Sequence, residues 1–208
     1  MSHYLTLERE AAAEFIERRS RFIGHCKPVQ TEREAMEFIE AIRTKHWKAT
    51  HNVYAYVLRE GQLRRYSDDG EPQGTAGIPT LEVLTKSGIT DAVVVVTRYF
   101  GGIMLGAGGL VRAYSQGAKI AVEAGEIVEM SLCQELRIAC DYSRYGRVAA
   151  LIPEEGGVVD DVVFTDQVEI AFHMPVAEVE GFEQKLADFT CGEIKSLKNG
   201  EKYYKLKK

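Results

Sequence analysis

The sequence predicts a mixed α+β protein of two modules, and three observations predict it. Residues 128–197 read in the order β-α-β-β-α-β, the split motif of ferredoxin-like domains. Residues 13–123 mix strand and helix patterns around a continuous apolar run, Ala92 to Val96, as expected for a strand buried on both faces. The chain has 208 residues, 45% hydrophobic and 27% charged, which suits one large domain or two small ones, each with a core. The pattern places the modules at residues 1–126 and 127–208.

In the first module, residues 13–29 alternate around Phe15, Phe22 and Ile23 and read as a strand pair turning near Arg19-Ser20. Thr31 with Glu34 forms a capping box. The helix behind it carries Ala35, Phe38, Ile39 and Ile42 at helical spacing and ends near His46. Val53 to Leu58 is strand-like, with Tyr54 and Tyr56 on one face, and Gly61 turns into a short strand ending near Tyr66. Residues 67–79 are rich in Ser, Asp, Gly and Pro and read as a loop. A helix over 80–88, the buried strand, a glycine-rich passage and a helix over 108–123 complete the module. The stripe of that last helix is Leu110, Tyr114, Ala118, Ala121 and Val122.

In the second module, Leu136, Ile138 and Cys140 alternate as a strand. Tyr145, Val148, Ala149 and Ile152 mark a helix that Pro153 ends. Val158 to Phe164 pairs as a hairpin with Val168, Ile170, Phe172 and Met174 across Thr165-Asp166. Val179, Phe182, Leu186 and Phe189 form a helical stripe stopped by Gly192, and Ile194 to Leu197 is the last strand. The basic tail from Lys202 to Lys208 is expected to fray. No internal repeat is visible.

Charge narrows the function. The net charge is −5. Residues 1–126 hold 16 basic and 16 acidic side chains, with 11 of the basic ones Arg; the rest holds 10 basic and 15 acidic. A protein that grips bare duplex DNA shows a basic excess, so any nucleic-acid contact must come from a local Arg cluster in the first module. No apolar run approaches the ~20 residues of a membrane span. The start, Met1 to Glu10, lacks a secretory layout. Cys26, Cys133, Cys140 and Cys191 lie far apart with no C-x-x-C pair, so zinc-ribbon and thioredoxin chemistry are excluded. Reduced thiols in the cytoplasm are the expectation.

Three segments carry candidate chemistry. Ser67, Asp68, Asp69, Glu71 and Thr75 lie in the loop. Its carboxylates either cap local N–H groups, hold an ion or substrate, or meet a partner, although the spacing is not that of an EF-hand. Gly101, Gly102, Gly106, Gly108 and Gly109 follow the buried strand and open a helix. They serve either close packing or an anion at the helix start, without the G-K-[ST] of a nucleotide-hydrolase loop. Lys48, His51, Arg64, Arg65, Arg98 and Arg112, interleaved with Tyr54, Tyr66 and Tyr99, suit phosphates and unstacked bases. Arg98 and Arg112 are expected to point towards one phosphate.

Nucleophilic catalysis finds little support. There is no G-x-S-x-G, and Cys26 and the adjacent His25 face opposite sides of a strand. His46 and His51 lack helical metal spacing. Met36 and Trp47 are read as packing residues. No catalytic residue, metal ligand or cofactor is assigned.

The segments 45–52 (KHWKATHN), 67–79 (SDDGEP-x-GTAG-x-P) and 95–114 (VVTRYFGG-x-x-LG-x-GGLVRAY) resemble the YigZ/IMPACT family. With Ser20-Arg21-Phe22 the likeness covers residues 18–115, and the second module matches the bacterial two-domain branch by element order and length. The resemblance implies an N-terminal α/β sandwich like the second domain of a small-subunit ribosomal protein and domain IV of elongation factor G. It implies a C-terminal ferredoxin-like domain similar to domain V of that factor. Eukaryotic members regulate translation by competing for the activator of a starvation-sensing kinase. Bacteria lack that pathway, so no partner is carried over, and the family supplies no catalytic residues to transfer.

The sequence therefore favours a non-enzymatic, translation-associated regulatory factor, acting in initiation or stress response and contacting RNA or the ribosome. In this reading Arg98, Arg112 and Lys48 meet phosphates, Tyr99 stacks, and the acidic second module docks a protein. The alternative is an enzyme acting on a phosphorylated small molecule or nucleotide. There the glycine passage would hold phosphate, and Asp68, Asp69 or Glu71 would bind a divalent metal or act as base.

Overall fold

The structure is a computed structural model describing residues 2–205. It divides into one unit at Tyr4–Glu129 and a second formed by residues 130–205 with residues 2–3.

The first unit contains β1 (His3–Leu7, its first residue in the second unit), β2 (Ala11–Glu17), β3 (Ser20–Pro28), α1 (Glu32–Lys45), β4 (His51–Val57), β5 (Arg64–Ser67), α2 (Gly77–Lys86), β6 (Ala92–Tyr99) and α3 (Ala107–Gly125). The β2–β3 hairpin turns through Arg18 and Arg19, both at positive φ. α1 starts at the predicted cap: the Glu34 N–H donates to the Thr31 hydroxyl at 3.2 Å, and the Gln30 N–H donates to the Glu34 carboxylate at 2.8 Å. The sheet order is β2-β3-β6-β4-β5, with each neighbouring pair antiparallel.

Burial of β6 on both faces makes this unit a sandwich. Val94 and Val96 pack with α2 and α3 residues such as Leu84, Leu110, Tyr114 and Ala118. Val93 and Val95 pack with Ala35, Phe38, Ile39 and Ile42 of α1 on the other face. Successive strand residues alternate faces, so Arg98 lies in phase with Val94 and Val96, under α3. Tyr99 lies on the α1 face.

The second unit contains β7 (Ile127–Cys140, its first residues in the first unit), α4 (Tyr142–Glu154), β8 (Val158–Phe164), β9 (Val168–Pro175), α5 (Val179–Thr190) and β10 (Leu197–Lys205). Its sheet has five strands, in the order β1-β7-β9-β8 with β10 also paired to β7, and the β10-β7-β9-β8 part is the ferredoxin-like order. Leu136, Ile138, Ile170 and Phe172 pack on Val148 and Ile152 of α4 and on Phe182 and Leu186 of α5.

β1 is absent from the sequence expectation, α4 runs one residue past the Pro153 expected to end it, and three further boundaries differ. α2 begins three residues early, because the Asp68 carboxylate takes the N–H groups of Ala76 (3.1 Å) and Gly77 (2.7 Å) from across the loop. β7 starts at Ile127, well before Leu136, and its N-terminal half carries no strict alternation. The last strand is Leu197–Lys205, while Ile194 is a core residue ahead of it. Residues 202–205 are not frayed: Lys202 pairs with Cys133 and Lys205 with Met130 in a backbone ladder that polar side chains do not advertise. Residues 206–208 of the expected tail lie outside the described residues.

Candidate functional site

The antiparallel order brings one set of connections to one end of the first sheet. The β2–β3 turn, the start of β4, the ends of β5 and β6, and the starts of α2 and α3 all lie there. Hydrogen bonds tie them together. The Thr50 N–H donates to the Arg98 carbonyl at 2.9 Å, and the Phe100 N–H to the Thr50 hydroxyl at 3.2 Å. The Gly101 N–H donates to the Ser20 hydroxyl at 3.3 Å. Of the predicted residues, this loop end collects Lys48, His51, Ser67, Asp68, Asp69, Glu71, Thr75, Arg98, Tyr99, the glycine passage and Arg112. Arg64 and Arg65 do not join them. They open β5 opposite Val57 and Tyr56, toward the other end of the sheet.

Arg98 is not a surface phosphate ligand, contrary to expectation. It is 5% exposed. Its guanidinium donates to the Glu71 carboxylate at 2.6 Å and to the Ser20 hydroxyl at 3.4 Å, and lies near the rings of Phe22 and Phe100. The Tyr114 hydroxyl, from α3, also donates to Glu71, at 2.7 Å. Burial and the adjacent Glu71 charge push the Tyr114 phenol far above its ordinary pKa. His51 donates from Nδ1 to the Asp69 carbonyl at 2.8 Å, with Nε2 3.7 Å from Glu71. This network is an internal latch holding the loop against β6 and α3.

The loop carboxylates are likewise committed, each in a different direction, so they do not form the expected alternative of a cation or metal site. Asp68 accepts from Gly74 (2.9 Å) as well as from Ala76 and Gly77. Asp69 accepts from the Asn52 N–H at 2.6 Å and from Arg43 at 3.3 Å. Ser67 accepts the Asp69 N–H at 3.1 Å, and the Thr75 hydroxyl donates to the Pro72 carbonyl at 2.6 Å. Local capping, one of the sequence's alternatives, is what Asp68 does.

The glycine passage splits into two parts. Gly101 is a packing glycine: a Cβ there would lie 2.0 Å from the Arg19 backbone. Gly106 caps α3 at φ +72°, with no side-chain cap on the helix, and a Cβ on Gly102 or Gly106 would meet nothing within 4 Å. A Cβ on Gly108 would meet Arg112 Nη1 at 3.7 Å, so Arg112 folds back toward the start of its own helix. A Cβ on Gly109 would meet Leu105 Cβ at 3.1 Å. Arg112 shares a notch of about 140 Å³ with Arg18, Glu17 and Gln116. Arg98 and Arg112 therefore do not converge on one phosphate.

Tyr99 is half-buried. Its hydroxyl pairs with His46 Nδ1 at 2.9 Å, and Arg21 sits 6.0 Å from its ring centre. The open aromatic surface at this end belongs to residues that sequence reasoning passes over. Trp47, expected to pack, is 74% exposed, and Phe100 is 48% exposed. Trp47 directly follows the C-cap of α1, beyond the reach of the helical stripe that would bury it.

Two family models match the chain: the Impact N-terminal domain over residues 18–122 and the domain of unknown function DUF1949 over residues 138–193. IMPACT family member YvyE of Bacillus subtilis (strain 168) is 39% identical over 202 residues, covering 97% of this chain and 93% of its own length. The chain belongs to the IMPACT family. IMPACT family member YigZ of Escherichia coli (strain K12) is 35% identical over 183 residues, covering 86% of this chain and 90% of its own. A crystal structure of a hypothetical protein is 33% identical with a TM-score of 0.61, covering 97% of this chain and 100% of that one. The segments that carried the IMPACT resemblance, 45–52, 67–79 and 95–114, all reach the loop end. Among the described residues no helix is long and apolar enough to cross a membrane.

On the α1 face of the same unit, His25 and His46 stack obliquely at 5.1 Å, each with a buried Nε2 that has no hydrogen-bond partner among the described residues. Burial, with the nearby charges of His46 and Lys45, pushes His25 down to about 4. An unfolded histidine takes its proton near 6.5. The folded pKa is lowered, so stability is full above about 6.5 and falls as pH drops toward 4, when only the unfolded chain binds the proton. Between pH 7.5 and 5.0 this site is expected to remove about 2 kcal/mol. Urea unfolding at the two pH values checks it. In His25→Gln the pH-dependent loss should shrink by that amount, and an unchanged loss would show that His25 stays solvated.

Proposed function

We propose that the chain is a non-enzymatic, translation-associated factor that contacts RNA or the ribosome through the loop end of its first unit. Eukaryotic members of the family are translation regulators. The observation that carries the reading is the company the cations keep. Ten of the 16 basic residues of residues 1–126 have an acidic partner within 4 Å. Arg19, Lys45, Lys48, Arg64, Arg65 and Arg112 have none among the described residues. Four of the six, Arg19, Lys45, Lys48 and Arg112, lie at the loop end with the exposed Trp47 and Phe100. The loop carboxylates that would repel a phosphate there are already neutralised or hydrogen-bonded. Cations for phosphates beside aromatic faces for unstacked bases form a single-strand RNA platform. Arg112 and Lys48 keep their expected role, and Trp47 and Phe100 take the stacking role expected of Tyr99.

The test is binding to ribosomes and to a structured RNA, by anisotropy across a salt series. Removing one cation that neutralises a phosphate should lower the slope of log affinity against log salt by about one. Lys48→Ala with Arg112→Ala is therefore expected to lower it by about two and to weaken binding at fixed salt. Equal affinity and slope in the double variant would refute this assignment of the surface.

A further inference from the structure

The acidic second unit holds an unused surface on β8. Among the described residues this strand is the edge of its sheet, paired only with β9. Its sequence, Val158-Val159-Asp160-Asp161-Val162-Val163-Phe164, has no Lys or Pro to blunt the edge, and its charges are the two carboxylates Asp160 and Asp161 at a bulge, which turn away acidic strands and leave the edge open to basic ones. Val158, Val159, Val163 and Phe164 are 38–54% exposed. An open edge flanked by apolar side chains is a template for another strand.

Its charge selects the strand. At the head of β8 lies a cleft of about 630 Å³, lined by Glu154, Glu155, Gly157, Val158, Glu178 and Lys185. Glu155 is held by Lys185 at 2.5 Å. Glu154 and Glu178 have no ion-pair partner among the described residues, nor does Asp161, midway along the strand. Asp160, the bulged residue, is turned onto His173 at 2.8 Å. Among the described residues the Asp161 carboxylate accepts only the neighbouring Val162 N–H, at 2.9 Å, a local bond that an incoming cation can replace. A second copy is disfavoured as the occupant. Antiparallel pairing of β8 about its centre would set Asp161 against Asp161, and like charges directly opposite destabilise a strand pair.

We propose that β8 accepts an extended peptide that alternates apolar residues with lysine or arginine, adding it to the sheet edge with one basic side chain in the Glu154/Glu178 cleft. The peptide's main chain pairs along β8, its cations meet Asp161 and the two glutamates, and its apolar residues, on the other face, cover Val159 and Phe164, which lie opposite the core residues Phe172 and Val168. This site is independent of the RNA surface at the loop end of the first unit.

The full chain is titrated with a fluorescein-labelled peptide of about ten residues alternating valine and lysine, long enough for the seven residues of β8 and the cleft. Binding is expected, and Asp161→Lys with Glu178→Lys should weaken it at least tenfold. Both positions are exposed, and circular dichroism verifies the fold. The same peptide with alternate backbone nitrogens methylated should also bind at least tenfold more weakly, because it cannot complete the ladder. The proposal is overturned if the lysine peptide does not bind, or if the charge variant, the methylated peptide or a valine–glutamate peptide binds as well. It is also overturned if sedimentation shows a dimer that Val163→Lys abolishes.

Discussion

Glu71→Ala is expected to destabilise the first unit by about 3–5 kcal/mol, the usual cost of leaving one member of a buried ion pair alone. The Arg98 guanidinium would remain under α3 without its 2.6 Å carboxylate, keeping only the long hydrogen bond to Ser20 and the faces of Phe22 and Phe100. Its Nε already has no acceptor among the described residues, so nothing nearby absorbs the loss. Arg98→Ala should cost a similar amount, because it strands the Glu71 carboxylate with the Tyr114 hydroxyl and the more distant His51. Tyr114→Phe removes one hydrogen bond and should cost less, about 1–3 kcal/mol. The paired replacement Glu71→Leu with Arg98→Met removes both charges together and should regain most of the loss. Urea unfolding midpoints give the four values. Hydrogen exchange should also speed up at Gly74, Ala76 and Gly77, whose N–H groups depend on a loop that Glu71 anchors. Single variants within about 1 kcal/mol of the parent would contradict a desolvated pair, since only exposed ion pairs are worth that little.

Arg98 also shows where sequence reading succeeds and where it stops. Apart from β1, which the sequence reading does not contain, the order of elements is legible because the segments carry their own patterns: a period of two along β9, a continuous apolar run along β6, and 3.6 along α1, α3 and α5. The cap at Thr31 is legible because its partners lie within four residues. The direction of Arg98 is also available in principle, since it continues the inward phase of Val94 and Val96. An arginine directly after a buried strand is nonetheless expected to emerge from it. What turns Arg98 inward is Glu71, 27 residues away on a loop without periodicity, and Tyr114 on another helix. Nothing local encodes that meeting. The cap of α2 by Asp68 and the pairing of β10 with β7 are the same kind of event. Trp47 escapes for the opposite reason: a lone large aromatic at a helix end is ordinarily core, and only the fold shows no layer above it. Lys48 and Arg112 are legible as cations of the loop end, because the glycine-rich helix start and the turn after α1 mark where chain ends meet. Arg64 and Arg65 group with them by composition, and strand direction separates them.

Gly24→Val is expected to be the most damaging single addition of side chain to the first unit, and its cause is space rather than backbone angle. Gly24 sits on β3 between Phe22 and Cys26, facing α3. A Cβ there would lie 2.0 Å from the Gly117 carbonyl oxygen and 2.9 Å from Ala121 Cβ. The nearest obstacle is helix backbone, which cannot rotate away as a side chain does. Overpacking a core commonly costs about 1–3 kcal/mol per inserted group. Because α3 must move bodily off the sheet, Gly24→Ala is expected at the top of that range and Gly24→Val beyond it. Gly117→Ala is the control on the facing helix. Its Cβ would meet Val96 Cγ1 at 2.8 Å, a methyl that can shift with its rotamer, and the added methyl raises helix propensity by about 1 kcal/mol. Its net effect should be far smaller. Gly101→Ala, aimed at the Arg19 backbone at 2.0 Å, should behave like Gly24→Ala, whereas Gly108→Ala, with only the end of Arg112 nearby, should be near neutral. Thermal melts rank the series. If Gly24→Ala melts with the parent while Gly117→Ala falls, the separation of α3 from β3 is larger than the structure gives. The same series tests the glycine passage. Loss of stability in Gly101→Ala with RNA binding retained in Gly108→Ala would assign the first glycine to packing and leave the helix start open to phosphate. Loss of binding in Gly108→Ala at unchanged stability would place the methyl in the path of the phosphate itself.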